Sequence, residues 1–110
     1  LERFESLLVN YLKSNLPLEI GIPTVGYCAK ELHLSTNYFG DLIKKEAGVS
    51  AHDYIKSIVI DRAKDSILEP EKSISDVAYE LGFKYPQHFT RLFKQKVGVS
   101  PHEYKNSKNN

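Results

Sequence analysis

Val25-Gly-Tyr-Cys-Ala-Lys-Glu-Leu-His-Leu34 and Ile74-Ser-Asp-Val-Ala-Tyr-Glu-Leu-Gly-Phe83 are two versions of one ten-residue phrase. Ala29 pairs with Ala78, Glu31 with Glu80, Leu32 with Leu81 and Leu34 with Phe83, all at an offset of 49. One extra residue before Phe89 moves the offset to 50. From there Phe39 pairs with Phe89, Leu42 with Leu92 and Lys44 with Lys94. Gly48-Val-Ser50 returns as Gly98-Val-Ser100, His52 as His102 and Tyr54 as Tyr104. Ala29 and Ala78 suit a close helix–helix approach that a larger side chain would prevent. Gly82, four residues after Ala78, supplies a turn position at positive φ; histidine, here His33, tolerates that region better than most residues. A small residue, a turn residue four on and an apolar residue just beyond describe a helix-turn-helix. Two copies in register make that reading specific, although two are too few for a solenoid.

Around this repeat the apolar residues recur at helical spacing. Leu1, Phe4, Leu7, Leu8, Tyr11 and Leu12 mark an amphipathic first helix that fades at Asn15 to Pro17. Thr24, Ser35, Ser50, Ser73 and Ser100 stand at helix starts as N-caps, and Gly48, Gly82 and Gly98 stand at helix ends. Ser50 with Asp53, and Ser100 with Glu103, have capping-box spacing. Alternation of strand period is missing throughout. The expected fold class is all-α, with about seven helices. Two homeodomain-like helix-turn-helix subdomains occupy 1–50 and 70–110, and a long linker helix joins them over 51–69.

Composition narrows the function classes. The 110 residues are 41% hydrophobic and 26% charged, ordinary for a globular domain and against wholesale disorder. Apolar runs such as Leu7–Val9 reach three residues, far below the ~20 of a membrane span. The single cysteine, Cys28, excludes an internal disulfide and a multi-cysteine zinc site and fits a reducing, cytoplasmic setting. Beside Ala29 it reads as a buried small hydrophobe. His33, His52, His88 and His102 lack metal-site spacing, and no catalytic constellation is visible, so neither enzyme nor cofactor is expected. With Leu1 first and no Met anywhere, the chain reads as a fragment of something longer or a processed product. The net charge of +1 is unevenly spread: residues 75–105 carry five basic and three acidic side chains, making the C-terminal third the basic end.

With these features in place, the sequence resembles the tandem helix-turn-helix DNA-binding domain of AraC/XylS-type bacterial transcription regulators. The resemblance rests on Ser73-Ile-Ser-Asp-Val-Ala-Tyr-Glu-Leu-Gly-Phe83, Phe89-Thr-Arg-Leu-Phe-Lys94 and Gly98-Val-Ser-Pro-His-Glu-Tyr104, and extends over nearly the whole chain. Three departures stand out: Val59 and Lys105 where the family commonly has Arg, and Pro86 opening the second recognition helix. The resemblance implies double-stranded DNA as the partner and a separate effector or dimerisation domain outside this fragment. It also allows contact with RNA polymerase.

Recognition helices approach major-groove bases with their first turns. In the first, Phe39, Leu42 and Ile43 turn inward, leaving Thr36, Asn37, Gly40, Asp41 and Lys44 outward; the family pattern puts Asn37, Gly40 and Asp41 at base-facing places. Asn can read adenine, and Asp can accept from the cytosine amino group. Asp41 also repels phosphate, and an i, i+4 pairing with Lys45 would turn it aside. In the second, Phe89, Leu92 and Phe93 turn inward, leaving Gln87, His88, Thr90, Arg91 and Lys94 outward. Arg91 suits guanine and Gln87 adenine, whereas Lys84, Lys94 and Lys96 suit phosphates. A linker helix of 18 residues over 51–68 spans about 27 Å, which sets the two readers roughly one DNA turn (~34 Å) apart once helix radii are added. The competing reading is a helical protein-interaction module that has lost its grip on DNA, favoured by the neutral first copy, Asp41 and the missing linker Arg.

Overall fold

Each copy of the repeat folds as a seven-residue helix, a tight turn and a twelve-residue helix. The computed structural model describes residues 1–108; residues 109–110, the last two of the expected second subdomain, lie outside them. In chain order the helices are α1 (Glu2–Lys13), α2 (Leu16–Glu19), α3 (Val25–Glu31), α4 (Thr36–Ala47), α5 (Ala51–Ser66), α6 (Ile74–Glu80), α7 (Pro86–Val97) and α8 (Pro101–Lys108). No strand occurs among the described residues, and no described helix is long and apolar enough to cross a membrane.

Among the described residues, eight helices stand where about seven were expected. The addition is α2, a single turn at the point where α1 was expected simply to fade. Pro17 ends nothing, because it occupies the first turn of α2, where its missing N–H has no helical partner to lose. The Ser14 hydroxyl accepts from the Leu16 amide at 3.1 Å and steadies that start.

The start signals act largely as read. Thr24, Ser35, Ser50, Ser73 and Ser100 each accept a backbone N–H three residues on. The box is reciprocal at Ser73, whose N–H donates to Asp76 at 2.9 Å, and at Ser100, whose N–H donates to Glu103 at 3.3 Å. At Ser50 only one half forms: the Asp53 amide donates to the Ser50 hydroxyl, and no return bond is present. Aspartate is a methylene shorter than the usual Glu, so the second reach depends on local geometry. The hydrogen bonds from Ser73 and Ser100 hold the Asp76 and Glu103 carboxyls below their ordinary pKa.

Both turns adopt the same geometry. The Leu34 amide donates to the Ala29 carbonyl, and the Phe83 amide to the Ala78 carbonyl. His33 has φ 60° and Gly82 φ 103°, so the sequence-equivalent positions share the positive-φ requirement. Ala29 and Ala78 are buried, as their small size demands.

One continuous apolar core runs through the molecule, which measures 44 × 28 × 22 Å. In the first half, Phe4 of α1 meets Phe39 edge-on with centroids 4.8 Å apart and stacks on Tyr54 at 5.0 Å. In the second, Phe83, Phe89, Phe93 and Tyr104 form a chain of aromatic contacts. α5 packs on α1, α3 and α4 on one side and on α7 on the other. Val59, where the family commonly has Arg, is buried in this core and contributes packing in place of charge.

The halves also meet away from the linker helix. The Tyr11 hydroxyl donates to the Gly21 carbonyl at 2.7 Å, fixing the strand of chain after α2. Gly21 in turn lies against Gly82, so closely that a Cβ on Gly82 would sit 2.6 Å from the Gly21 carbonyl carbon. Lys105 stands in place of the family's Arg and clamps the α5–α6 connection. Its Nζ donates to the Lys72 carbonyl at 2.7 Å and the Glu69 carbonyl at 3.3 Å. Lys72 itself bridges Glu69 and Glu80 at 2.8 and 2.9 Å, and its pKa rises through the bonds to those two carboxylates.

Candidate nucleic-acid interface

The exposed face of α4 begins at its cap. Ser35 fixes the first turn, and the burial of Phe39 and Ile43 then dictates which side chains turn outward. Thr36, Asn37, Asp41 and Lys44 are exposed, and Gly40 is half-exposed with open space where a Cβ would stand. All five line a single shallow groove of about 420 Å³. Its far wall, which sequence reasoning missed, is Val25 from the start of α3 and Ser50, Ala51 and His52 from the start of α5. Tyr38 was also missed. It is 58% exposed on the first turn of α4, at the position equivalent to His88. An exposed aromatic ahead of a buried one, Tyr38 before Phe39, was the available signal.

Asp41 makes no ion pair with Lys45 among the described residues, contrary to the expected i, i+4 arrangement. Both side chains are exposed, and an exposed pair gains too little to hold two chains in one geometry. Asp41 therefore stands free in the groove.

On α7 the burial of Phe89 and Phe93 turns Gln87, His88, Arg91 and Lys94 outward, with Thr90 half-buried. The helix divides into two stripes. His88, Arg91, Leu92 and Gln95, at steps of three and four, border a cleft of about 370 Å³ between the halves. Gln87 and Lys94 lie outside that cleft. Leu92, expected inward, is only half-buried, because the cleft opens beneath it. Gln95 was not anticipated as part of this surface. α7 also starts differently from α4: Tyr85 gives no side-chain cap, and Pro86 takes the first turn. Around that start Lys84 lies 5.6 Å from the Tyr85 ring centroid and His88 meets the same ring edge-on at 5.4 Å. These groups make a polar, cationic corner at the end of the helix that carries Arg91.

The groove along α4 and the cleft along α7 share Val25 and His52, so the outward face of α4 and the His88, Arg91 and Gln95 stripe of α7 border one continuous depression. α5 sets their separation. It runs over 16 residues, shorter than the 18 expected, and so spans about 24 Å. Cys28 takes no part. It is fully buried, and burial pushes its thiol pKa up to about 11, which leaves it without thiolate character.

Two helix-turn-helix units in tandem, each with an exposed polar face on its second helix, define this molecule as a double helix-turn-helix domain. The family described as "Helix-turn-helix domain" matches residues 28–107. The chain belongs to that family, and within it to the AraC type. It is similar to the uncharacterised HTH-type transcriptional regulator YtdP of Bacillus subtilis, at 34% identity over 85 residues, covering 77% of this chain and 11% of YtdP. It is likewise similar to the probable transcriptional regulator LumQ of Photobacterium leiognathi, at 31% identity over 104 residues, covering 94% of this chain and 41% of LumQ. The chain thus spans about a tenth of one of these relatives and about two fifths of the other. The DNA-binding domain of AdpA, a global transcriptional factor solved in complex with a target DNA, has the same fold, with a TM-score of 0.76 at 19% identity over 94% of this chain and 90% of that one.

Proposed function

We propose that this chain is the DNA-binding part of a transcription regulator, reading double-stranded DNA with α4 and α7 in successive major grooves. The observation that supports this reading is the adjoining groove and cleft, which bring the outward face of α4 and the Arg91 stripe of α7 together, with Gln87 and Lys94 exposed beside it. The roughly 24 Å span of α5, with helix radii of about 5 Å added at each end, sets the two readers about one DNA turn (~34 Å) apart. In this reading Asn37 and Asp41 of α4 and Gln87 and Arg91 of α7 face base edges. Thr36, His88 and Thr90 border the contact, Gly40 permits close backbone approach, and Lys44, Lys84, Lys94 and Lys96 meet phosphates. Phosphate contacts supply affinity, while the few base contacts supply sequence preference.

The second repeat is the stronger reader, since it combines a guanidinium with the surrounding lysines. The role is one of binding without catalysis, in the cytoplasm. Effector sensing or dimerisation belongs to parts of the regulator outside this chain, and RNA polymerase is a further partner. Selection of bound sequences from a random duplex pool, followed by a salt titration on the selected site, tests the proposal. Enrichment of a motif and a steep loss of affinity with salt are expected. A chain that binds no duplex at low salt would instead be a protein-interaction module.

A further inference from the structure

The cleft between the two halves has a composition that DNA reading does not require. Its floor is apolar, made by Pro23, Ile55 and Phe83, with Ile22, Val25 and Leu92 forming the walls. Its rim carries Lys56 and Arg91 together with His52 and His88, and no carboxylate borders it. Among the described residues neither Lys56 nor Arg91 makes an ion pair or a side-chain hydrogen bond. Phosphates running over the surface could meet the rim, yet they offer nothing to the apolar floor beneath it. A volume of about 370 Å³ falls at the small end of ligand pockets, which run from ~300 to ~1,000 Å³.

From this charge complementarity over an apolar floor we infer that the cleft is a binding site for a small apolar carboxylate. Its hydrophobic body lies between Leu92 and the Phe83–Ile55 floor, and its carboxylate lies between Lys56 and Arg91. Because Arg91 borders the cleft and also lies on the outward face of α7, an occupied cleft engages a side chain needed for DNA. The ligand and DNA are then mutually exclusive at this point.

The test is a nitrogen-15 and methyl NMR titration of the 110-residue chain with three probes: 2-naphthoate, the neutral 2-naphthalenemethanol and inorganic phosphate. The expected result is saturable shifts at Ile55, Phe83, Arg91 and Leu92 with 2-naphthoate, with a dissociation constant on the order of 1 mM. The neutral probe should bind roughly threefold or more weakly, as should 2-naphthoate with the Lys56→Gln variant. Ile22→Trp, which fills the cleft from its half-exposed wall, should abolish the shifts while leaving the helical circular dichroism intact. If Ile22→Trp unfolds the chain, Lys56→Gln and the neutral probe still decide. Absence of shifts at those residues, or equal binding of the neutral probe, overturns the proposal. Phosphate producing the same shifts as 2-naphthoate also overturns it, because the site would then be a phosphate seat. DNA binding is measured in parallel on the selected duplex, where 2-naphthoate should raise the apparent dissociation constant. A chain that binds 2-naphthoate in the cleft but no DNA contradicts the DNA-binding reading alone; one that binds DNA but no 2-naphthoate contradicts this inference alone.

Discussion

Gly82→Ala should be among the most damaging single-methyl changes in this protein, and the structure allows its cost to be divided. Gly82 has φ 103°, a region that costs an L-residue roughly 1–2 kcal/mol. The added Cβ would also sit 2.6 Å from the Gly21 carbonyl carbon, 2.6 Å from the Ile22 amide nitrogen and 2.9 Å from the Gly21 carbonyl oxygen. Those are backbone atoms, held in place by the bond from the Tyr11 hydroxyl to the Gly21 carbonyl. They must shift as a unit, at an overpacking cost of about 1–3 kcal/mol. Gly98 provides the internal control: its φ is 97°, and nothing lies within 4 Å of its Cβ position. Gly98→Ala therefore carries the conformational strain without the collision. Loss of unfolded-state freedom, which favours Ala by about 0.4–1 kcal/mol, applies to both and cancels in their difference. With that gain subtracted, urea unfolding followed by circular dichroism should place Gly98→Ala about 0–1.6 kcal/mol below the parent and Gly82→Ala about 1–4.6 kcal/mol below it. The latter corresponds to a fall in melting temperature of about 4–18 °C. Equal losses in the two variants would show that the Gly21–Gly82 contact yields freely, which would refute the overpacking share of the cost.

At the DNA surface, Arg91→Ala should cost ~1–3 kcal/mol and relax preference at one base pair, whereas Lys94→Ala should weaken all duplexes and lower the salt slope by about one. Equal or greater losses from Asn37→Ala and Lys44→Ala would reverse the ranking of the two repeats. Asp41, unpaired in its groove, should give a few-fold gain on cognate and scrambled duplexes alike when changed to Asn, and the gain should shrink with salt; a loss confined to the cognate site would assign it to a cytosine amino group. Lys105→Met removes the clamp on the Glu69 and Lys72 carbonyls and should lower stability by about 1 kcal/mol in the same urea assay. Asp76 and Glu103 have folded pKa values below their unfolded ones, so their contribution is complete above the unfolded values and is lost as pH falls through the folded ones. The urea midpoint should therefore drop below about pH 4, and the double variant Asp76→Asn, Glu103→Gln should flatten that decline.

Local rules decide much of this protein from sequence alone. The N-caps at Thr24, Ser35, Ser50, Ser73 and Ser100 act within three residues, and the positive φ at His33 and Gly82 follows from a turn only a few residues long. The inward faces of α4 and α7 follow from helical period, which is why Phe39, Ile43, Phe89 and Phe93 are buried as read. Duplication made these signals specific, because each half checks the other. Tertiary structure decided what depends on residues far apart in the chain. Leu92 is half-buried because the opposite wall, Ile22 and Val25, stands back from it across the cleft. His52, known from sequence only as the counterpart of His102, borders both the groove and the cleft because α5 starts where the two halves meet. Gly21 carries no signal of its own, and its role exists only because folding brings Gly82 against it. Periodicity reports which side of a helix faces inward, but how closely the next element approaches that side is set by packing across the whole core.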